Sequence, residues 1–219
     1  MKHTFFGIAF ISLLFATSLF AQSNETYVRC IAFYNLENLF DTIHDEGKND
    51  YEYLPDGGMK WTSLKYTNKI QNMAYAISQL GTDEDPRGAA IVGVSEVENI
   101  GCLHDLCKEL KENHNRNYVP ILLEGPDRRG IDVGLLYNPD MFKPVGQPKG
   151  YELKAHYADG GVVRSRLQLW VSGYMLDDNR KIVMDKIHIS VNHWPSRSGG
   201  EESSRATRDT AAMLVKQVA

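Results

Sequence analysis

The sequence predicts an α/β or α+β protein built around a mixed β-sheet. Strand-like apolar runs alternate with amphipathic helical segments, and short hairpin-type connections occur together with longer crossovers. The chain has 219 residues, of which 42% are hydrophobic and 24% are charged. A chain of this size and composition buries one sizeable core. We expect a single folded domain, since no internal repeat, low-complexity tract or linker divides the sequence.

The first half of the chain predicts two strands and two helices. Residues 27–35 form a strand-like run, and the loop at 36–61 is long, acidic and aromatic, which is typical of functional loops. Apolar residues at helical spacing predict a helix over 63–80, and a glycine follows it. The continuous apolar run at 89–99 predicts a buried strand, and a short helix is expected from Asn99 to Leu110.

The second half predicts four strands and a closing helix. Proline and glycine residues punctuate the stretch before the third of these strands. The last two strands are expected to form a hairpin around residues 176–181, and the helix covers about 201–218. The four predicted strands cover residues 118–124, 130–139, 165–175 and 186–194.

Residues 1–21 have the pattern of a secretory signal peptide. Lys2 and His3 precede an apolar run that ends at the small residue Ala21, before a polar stretch. The alternative is an N-terminal membrane anchor, but the apolar run is short for a membrane span. We therefore expect an exported protein, periplasmic or secreted, whose domain covers residues 22–219 and has no membrane span after removal of the signal.

Charge and cysteine content restrict the possible partners. The net charge of −4 argues against a stable complex with nucleic acid, because such binding depends largely on neutralising phosphates. An enzyme that acts on phosphodiesters needs only a locally basic site. Cys30, Cys102 and Cys107 form no metal-binding signature, and we expect buried free thiols.

Polar residues follow three strongly apolar strands. Asn35, Glu96 and the pair Asn192–His193 each stand at or just beyond a predicted strand end. If these ends share one sheet edge, an amide oxygen, a carboxylate and an imidazole converge there. Such a set favours Mg²⁺ or Mn²⁺ over zinc. Each residue taken alone has an ordinary structural explanation, as a turn residue, a solvated carboxylate or a hydrogen-bonded histidine.

Several arginines are candidates for binding phosphate, because the planar guanidinium matches a phosphate group. Arg197 lies in a Gly-rich loop before a predicted helix, where free backbone N–H groups favour anions. Arg205 and Arg208 on that helix are interpreted as surface residues. The other candidates are Arg128, Arg129, Arg164 and Arg166.

Four blocks in this order resemble the endonuclease/exonuclease/phosphatase superfamily, and most of all its exported bacterial branch. The blocks are "FYNLENLFD" at 33–41, "VGVSEVEN" at 92–99, "DRRGIDVGLLYNP" at 127–139 and "VNHWPSR" at 191–197. The resemblance implies a four-layer α/β sandwich of two mixed β-sheets flanked by helices. It also implies hydrolysis of a phosphate ester with Mg²⁺ or Mn²⁺.

The resemblance assigns roles to individual positions. Asn35 and Glu96 match the metal site, and His193, next to Asn192, matches the catalytic histidine that contacts the scissile phosphate. Arg164 matches the arginine that faces the substrate, with Arg166 as the alternative. Asp132 and Arg129 are expected to support the site.

Two further blocks of the family are not found in this sequence: one of Gly-Asp-Phe-Asn type, which orients the nucleophile, and one of Ser-Asp-His type, which supplies the general base. The resemblance therefore implies an N-terminal part of such a domain, incomplete at the C-terminus. We expect it to have reduced or no activity and to be marginally stable or prone to aggregation.

Three functions are compatible with these sequence features. The first is an endonuclease-like phosphodiesterase that cleaves by in-line attack of water, with nucleic acid as the favoured substrate. The second is a phosphatase or sphingomyelinase-like phosphodiesterase that acts on inositol phosphates or lipid headgroups. The third is a non-catalytic binding module.

Overall fold

A computed structural model describes residues 27–156, 160–163, 165–197 and 200–219. The predicted signal peptide, residues 1–21, lies outside the described residues, and export stays a prediction. Within the described part of the chain, none of the helices has the length and apolar character needed to cross a bilayer. Arg164 is also outside the described residues.

The described residues contain eight strands, three α-helices and one 3₁₀-helix. The helices are α1 (Ser63–Ser78), α2 (Ile100–His114) and α3 (Glu201–Val218), and the 3₁₀-helix is Tyr51–Tyr53. The strands are β1 (Ile31–Leu39), β2 (Ile91–Val97), β3 (Val119–Leu122), β4 (Asp132–Tyr137), β5 (Phe142–Pro144), β6 (Lys149–Tyr151), β7 (Gln168–Met175) and β8 (Ile187–Val191).

The first sheet is mixed and has the strand order β1-β2-β4-β3. β1 and β2 run parallel, with Ile31 opposite Ile91, and α1 lies in the crossover between them. β4 pairs antiparallel with both β2 and β3. The carboxyl ends of β1 and β2 and the start of β4 therefore lie at the same end of this sheet.

Helices α1 and α2 cover one face of the first sheet. The Thr62 hydroxyl accepts a hydrogen bond from the Lys65 amide, and the Asn99 side chain accepts one from the Cys102 amide, so each helix begins at a capping residue. Asn115 ends α2 in the left-handed conformation. Their apolar faces pack on the sheet in one core, which includes Ile70, Ala74, Ile77, Leu103, Leu106, Leu110, Val92, Val94 and Leu136.

The second sheet is antiparallel, with β7 at its centre. Trp170 of β7 pairs with Lys149 of β6 and with Ser190 of β8, so these two neighbours lie on opposite sides of β7. β5 pairs with the carboxyl end of β7. Among the described residues no strand pairs with the outer edge of β8.

The two sheets pack face to face. Ile91, Val133 and Leu135 of the first sheet lie in one core with Leu169 and Val171 of the second. A side-chain carbon at Gly93 would approach the Val191 methyl groups to 3.3 Å, so a glycine allows close packing of the sheets there.

Helix α3 lies on the side of the second sheet. Ala211 packs against Leu153, Ala155 and Val163, and its carbonyl accepts a hydrogen bond of 2.8 Å from the Gln168 side chain. The layers are therefore α1 with α2, the first sheet, the second sheet and α3. The predicted two-sheet α/β sandwich is confirmed, with one mixed and one antiparallel sheet.

Strand β1 is only partly covered by the second sheet. Ile31 and Phe33, which pair in register with Ile91 and Gly93, are 49% and 54% exposed. Residues of a parallel pair that lie side by side point to the same face, so Ile31 and Phe33 belong to the face that packs between the sheets. β8 is the outer strand of the second sheet and packs over β2 and β4. The result is an uncovered apolar strip along β1.

The structure differs from the sequence prediction mainly at element ends. The first strand begins at Ile31 and continues past Asn35 to Leu39. β5 and β6 lie in the stretch rich in proline and glycine, which gave no strand signal. The predicted hairpin of the last two strands is present, but its connection is longer than predicted.

The three cysteines are free thiols, as predicted. Cys102 and Cys107 are buried, and burial raises the pKa of each thiol to about 12. Cys30 is only half-buried.

Asp132 begins β4 with a buried carboxylate. Its Oδ1 accepts a hydrogen bond of 2.9 Å from the Gly125 amide, which closes the loop before the strand, while Oδ2 is buried without a hydrogen-bond partner among the described residues. The side chain is 1% exposed. Burial raises the pKa of Asp132 to about 7, although the Gly125 amide opposes this shift.

Replacing Phe33 by Thr is expected to reduce self-association. The change removes apolar surface from the uncovered strip and places a β-branched residue, which strands accommodate well, at this position. In light scattering, we expect the rise of apparent molecular mass with protein concentration to be smaller than in wild type. The melting temperature should change little, because Phe33 is more than half exposed. Val119→Thr on β3, the opposite edge of the same sheet, is the control. A wild-type protein that stays monomeric at high concentration would contradict this expectation.

Asp132→Asn is expected to remove a pH dependence of stability. The folded-state pKa lies above the ordinary value, so the folded chain holds the proton more tightly and wild-type stability falls as pH rises from about 4 to about 7. Asparagine keeps the acceptor for Gly125 and carries no charge. At pH 8 the variant should be more stable than wild type by on the order of 2 kcal/mol, with no gain near pH 4. Urea unfolding at both pH values measures this, and an equal effect at both would argue against a buried titrating group.

Candidate active site

Two irregular strand segments lie side by side at the carboxyl ends of β1 and β2. The register of β1 shifts between Asn35 and Leu39, where Glu37 and Asn38 have φ of 52° and 58°. The register of β2 shifts between Ser95 and Val97, and Glu96 between them has φ of 60°. Left-handed conformations are uncommon for residues other than glycine, and bulges of this kind redirect side chains. Here they direct Asn35 and Glu96 toward each other.

Hydrogen bonds fix both oxygens of the Glu96 carboxylate. Oε1 accepts one of 3.0 Å from the Asn35 side-chain amide, and Oε2 accepts one of 3.1 Å from the Asn38 backbone amide. The Asn35 side-chain oxygen accepts one of 2.7 Å from the Glu37 amide. Backbone amides of the β1 bulge thus hold the Asn35 oxygen and Glu96 Oε2, and the Asn35 side chain holds Glu96 Oε1.

His193 reaches this pair from the second sheet. It follows β8, and its Nε2 lies 3.4 Å from Glu96 Oε1. The structure therefore places Asn35, Glu96 and His193 in contact across the two sheets. The neighbouring Asn192 donates a hydrogen bond of 2.8 Å to the Ser190 hydroxyl, while its side-chain oxygen is buried without a hydrogen-bond partner in the described part of the chain.

The surroundings keep His193 uncharged at neutral pH. Burial lowers the pKa of His193, the nearby Arg166 charge lowers it further, and the Glu96 carboxylate only partly offsets both. Nε2 faces a carboxylate oxygen, which favours the tautomer with the proton on Nε2. Nδ1 is buried and makes no hydrogen bond with any described residue.

Asp127 brings two of the predicted arginines together. Its Oδ2 lies 3.5 Å from Arg166 Nε, and its Oδ1 lies 3.7 Å from Arg129 Nε and accepts a hydrogen bond of 2.9 Å from the Arg129 amide. Asp127 is only 7% exposed, and burial lowers the pKa of Arg166. Both arginine charges act on His193, so a cationic pair stands beside the histidine. Asp127 was not among the site residues predicted from the sequence, although this residue opens the "DRRGID" block.

Arg197 makes its ion pair elsewhere. Its guanidinium lies 3.7 Å from Glu201 in the first turn of α3, and both side chains are largely exposed. With Trp194 and Arg208 it lines a cavity of about 730 Å³ along that helix. The two acidic residues of the first turn, Glu201 and Glu202, already complement the helix N-terminus. A role of Arg197 in anion binding stays a prediction, as does the role of Arg164, which lies outside the described residues.

A second group of possible metal ligands lies next to the site. Asp41, Glu98 and Cys102 each place a ligand atom within 4.8 Å of the others. Burial raises the pKa of Glu98 to about 8, and Glu98 accepts hydrogen bonds from the Asp41 amide at 2.8 Å and the Cys102 thiol at 3.9 Å. The Asn99 side-chain amide lies within 3.4 Å of both Asp41 and Asp45. These bonds attach the loop after β1 to the start of α2, and we interpret the group as a structural anchor.

Residues that the sequence analysis did not identify support the site from α1. Lys69 donates a hydrogen bond of 2.6 Å to the Glu37 carbonyl, and Trp61, just before the helix, donates one of 2.9 Å to the Phe40 carbonyl. Of the residues in these contacts, only Glu37 could have been inferred from the sequence, because it stands two residues after the candidate ligand Asn35. Lys69 lies on a polar helix face that looks like any solvated surface.

The solved structures that match this chain share little sequence with it. A conserved protein of unknown function from Enterococcus faecalis V583 is 13% identical, with a TM-score of 0.47, over 85% of this chain and 60% of its own. An endonuclease/exonuclease/phosphatase from Bacteroides vulgatus is 16% identical, with a TM-score of 0.43, over 85% and 57%. The mannosyl-6-phosphatase of Bacteroides thetaiotaomicron is 15% identical, with a TM-score of 0.48, over 85% and 57%. The chain thus spans less than two thirds of the length of these structures.

Comparison with curated proteins gives no significant match. The family model described as the endonuclease/exonuclease/phosphatase family matches residues 30–219, which include both sheets and all three helices. The protein therefore belongs to the endonuclease/exonuclease/phosphatase family.

Proposed function

We propose that this protein hydrolyses phosphate esters with a divalent cation, Mg²⁺ or Mn²⁺, held by Glu96 and Asn35. The observation that carries the proposal is the contact of Glu96 with both Asn35 and His193, at the rim where the two sheets meet. Family membership supports a phosphoester hydrolase. The cation, the substrate and the role of each residue are our inference.

The donor atoms at this rim suit a hard cation. Glu96 supplies a carboxylate whose Oε2 accepts one hydrogen bond and keeps a lone pair, and Asn35 supplies an amide oxygen that also accepts only one. The Asn192 side-chain oxygen is buried without a hydrogen-bond partner among the described residues, so it is a further oxygen available to a ligand at the site. When bound, a divalent cation supplies neutralisation of phosphoryl charge and polarisation of the P–O bond.

His193 and the two arginines are suited to bind the phosphate. The neutral His193 carries its proton on Nε2 and would donate it to a phosphoryl oxygen in exchange for its long contact of 3.4 Å with Glu96 Oε1. Arg129 and Arg166 provide positive charge beside the histidine, and the Asp127 carboxylate forms an ion pair with each of them. These groups complement the charge that spreads over the phosphoryl oxygens in the transition state.

The first candidate substrate class is a phosphodiester of the nucleic-acid type, cleaved in the manner of an endonuclease. The positive charge of Arg129 and Arg166 supports it locally, and the net charge of −4 is compatible with transient binding rather than a stable complex.

The second candidate is a small phosphate ester, such as an inositol phosphate or a lipid headgroup. The loop after β1 contacts the arginine-bearing loop, since the Asn49 amide donates a hydrogen bond of 2.7 Å to the Arg128 carbonyl. A long polyanion would meet repulsion from the carboxylates of this loop, whereas a single phosphate would not. The acidic residues of the loop are Asp41, Asp45, Glu46, Asp50, Glu52 and Asp56.

Glu96→Gln is expected to weaken cation binding and activity strongly, with little effect on folding. The amide keeps one acceptor for Asn38 but loses the charge that holds the cation. We expect Mn²⁺ affinity in titration calorimetry and Mg²⁺-dependent hydrolysis of bis-(p-nitrophenyl) phosphate to fall on the order of 100-fold. Glu112→Gln on the exposed face of α2 is the matched control. Unchanged Mn²⁺ affinity in the Glu96 variant would exclude this site, and retained ligand binding without turnover in wild type would favour the binding-module alternative.

Plasmid nicking and phosphate release distinguish the two substrate classes. Both assays are run with Mg²⁺ on the same preparation, with Glu96→Gln as the blank. Nicking that disappears in the blank would support the nuclease candidate. Release of phosphate or headgroup from a small ester without any nicking would exclude the nuclease and support the second candidate.

A further inference from the structure

We propose that Lys69 is a positioning residue that sets the orientation of the Glu96 carboxylate through one peptide bond of β1. The inference rests on the proposed function, because it assigns Lys69 to the cation site held by Glu96. Lys69 lies on α1, and its hydrogen bond goes to a backbone carbonyl of β1 rather than to the Glu96 carboxylate itself.

The link consists of a single rigid peptide unit. The Glu37 carbonyl accepts a hydrogen bond of 2.6 Å from Lys69 Nζ, and the Asn38 amide donates one of 3.1 Å to Glu96 Oε2. This carbonyl and this amide belong to the same planar peptide group, so fixing one end fixes the other. The lysine charge also polarises the peptide and strengthens the amide as a donor to the carboxylate.

The peptide needs such support because its backbone is unfavourable. Glu37 and Asn38 are consecutive non-glycine residues with φ of 52° and 58°. Conformations of this kind persist only where surrounding contacts hold them. The neighbouring Glu37 amide is also engaged, since it donates to the Asn35 side-chain oxygen at 2.7 Å. A change in this peptide would therefore disturb both proposed cation ligands.

Trp61 gives a second contact to the same turn. Its indole N–H donates a hydrogen bond of 2.9 Å to the Phe40 carbonyl, and Lys69 Nζ lies 5.9 Å from the indole ring centre. Lys69 and Trp61 thus hold the two ends of residues 37–40 from the helical layer. The Lys69 ammonium is in addition kept in place by attraction to the indole face.

A matched lysine on the same helix separates positioning from simple stabilisation. Lys65 lies one turn earlier on α1 and donates a hydrogen bond of 2.9 Å to the Met59 carbonyl. Lys65 therefore makes the same type of hydrogen bond. The peptide group that accepts it joins Met59 and Lys60, and its amide donates to the Gly57 carbonyl rather than to Asn35 or Glu96. A purely structural role would give similar results for the two lysines.

The experiment compares Lys69→Met, Lys69→Arg and Lys65→Met in the full chain, with Mn²⁺ as the probe in titration calorimetry. We expect Lys69→Met to weaken Mn²⁺ binding about tenfold or more. Lys69→Arg, which keeps the charge and a donor, should recover most of this loss, and Lys65→Met should bind as wild type. In hydrolysis assays at saturating Mg²⁺, the Lys69→Met loss should fall on kcat rather than KM.

The Mn²⁺ affinities of the Glu96 and Lys69 variants distinguish a failure of the positioning role from a failure of the proposed function. If Glu96→Gln loses Mn²⁺ binding and Lys69→Met does not, the positioning role is wrong and the proposed function stands. If Glu96→Gln binds Mn²⁺ normally, both are wrong. If Lys69→Met does not fold, Lys69→Gln replaces it, with an expected weakening of about threefold because a neutral donor remains. Normal Mn²⁺ binding by Lys69→Gln would then overturn the proposal.

Discussion

The hydrogen bonds between the Glu96 carboxylate and the bulge of β1 are the constraint on which the rest of the site depends. They join two parallel strands where their regular pairing breaks, with one bond from the Asn35 side chain and one from the Asn38 backbone. Both bulges have left-handed residues, so neither strand would take this form alone at low cost. The carboxylate and the strained turn stabilise each other, and the site is therefore rigid in its first sheet.

The second half of the site depends on how closely the two sheets pack. His193 follows β8 and meets Glu96 only because β8 lies over β2, where Gly93 faces Val191. A larger residue at position 93 would separate the sheets and withdraw the histidine from the carboxylate. The geometry of the site therefore depends on core packing, because the contact between His193 and Glu96 is also a contact between the two sheet layers.

Much of this arrangement could be predicted from the sequence, and the remainder could not for physical reasons. The apolar run that ends in Glu96 and the polar residues after β8 are strong local signals of strand ends at a rim. The bulges were not predicted, because left-handed residues such as Asn38 have no distinctive pattern. Lys69 and Asp127 act through contacts with residues distant in sequence, and such contacts leave no periodic signal. β5 is a short strand whose pairing with β7 outweighs its weak local preference.

The separation of Asn35 and Glu96 along the chain has a consequence for folding kinetics. Their contact joins residues 61 positions apart, across a parallel pair that contains α1 in its crossover. Closing so long a segment costs more chain entropy than forming the β3–β4 or β7–β8 pairs, which are local. A complete chain that refolds from the denatured state would acquire these hairpins first. The contact between Asn35 and Glu96 would form only at a late, cooperative stage, so that its appearance marks completion of the β1–β2 pairing.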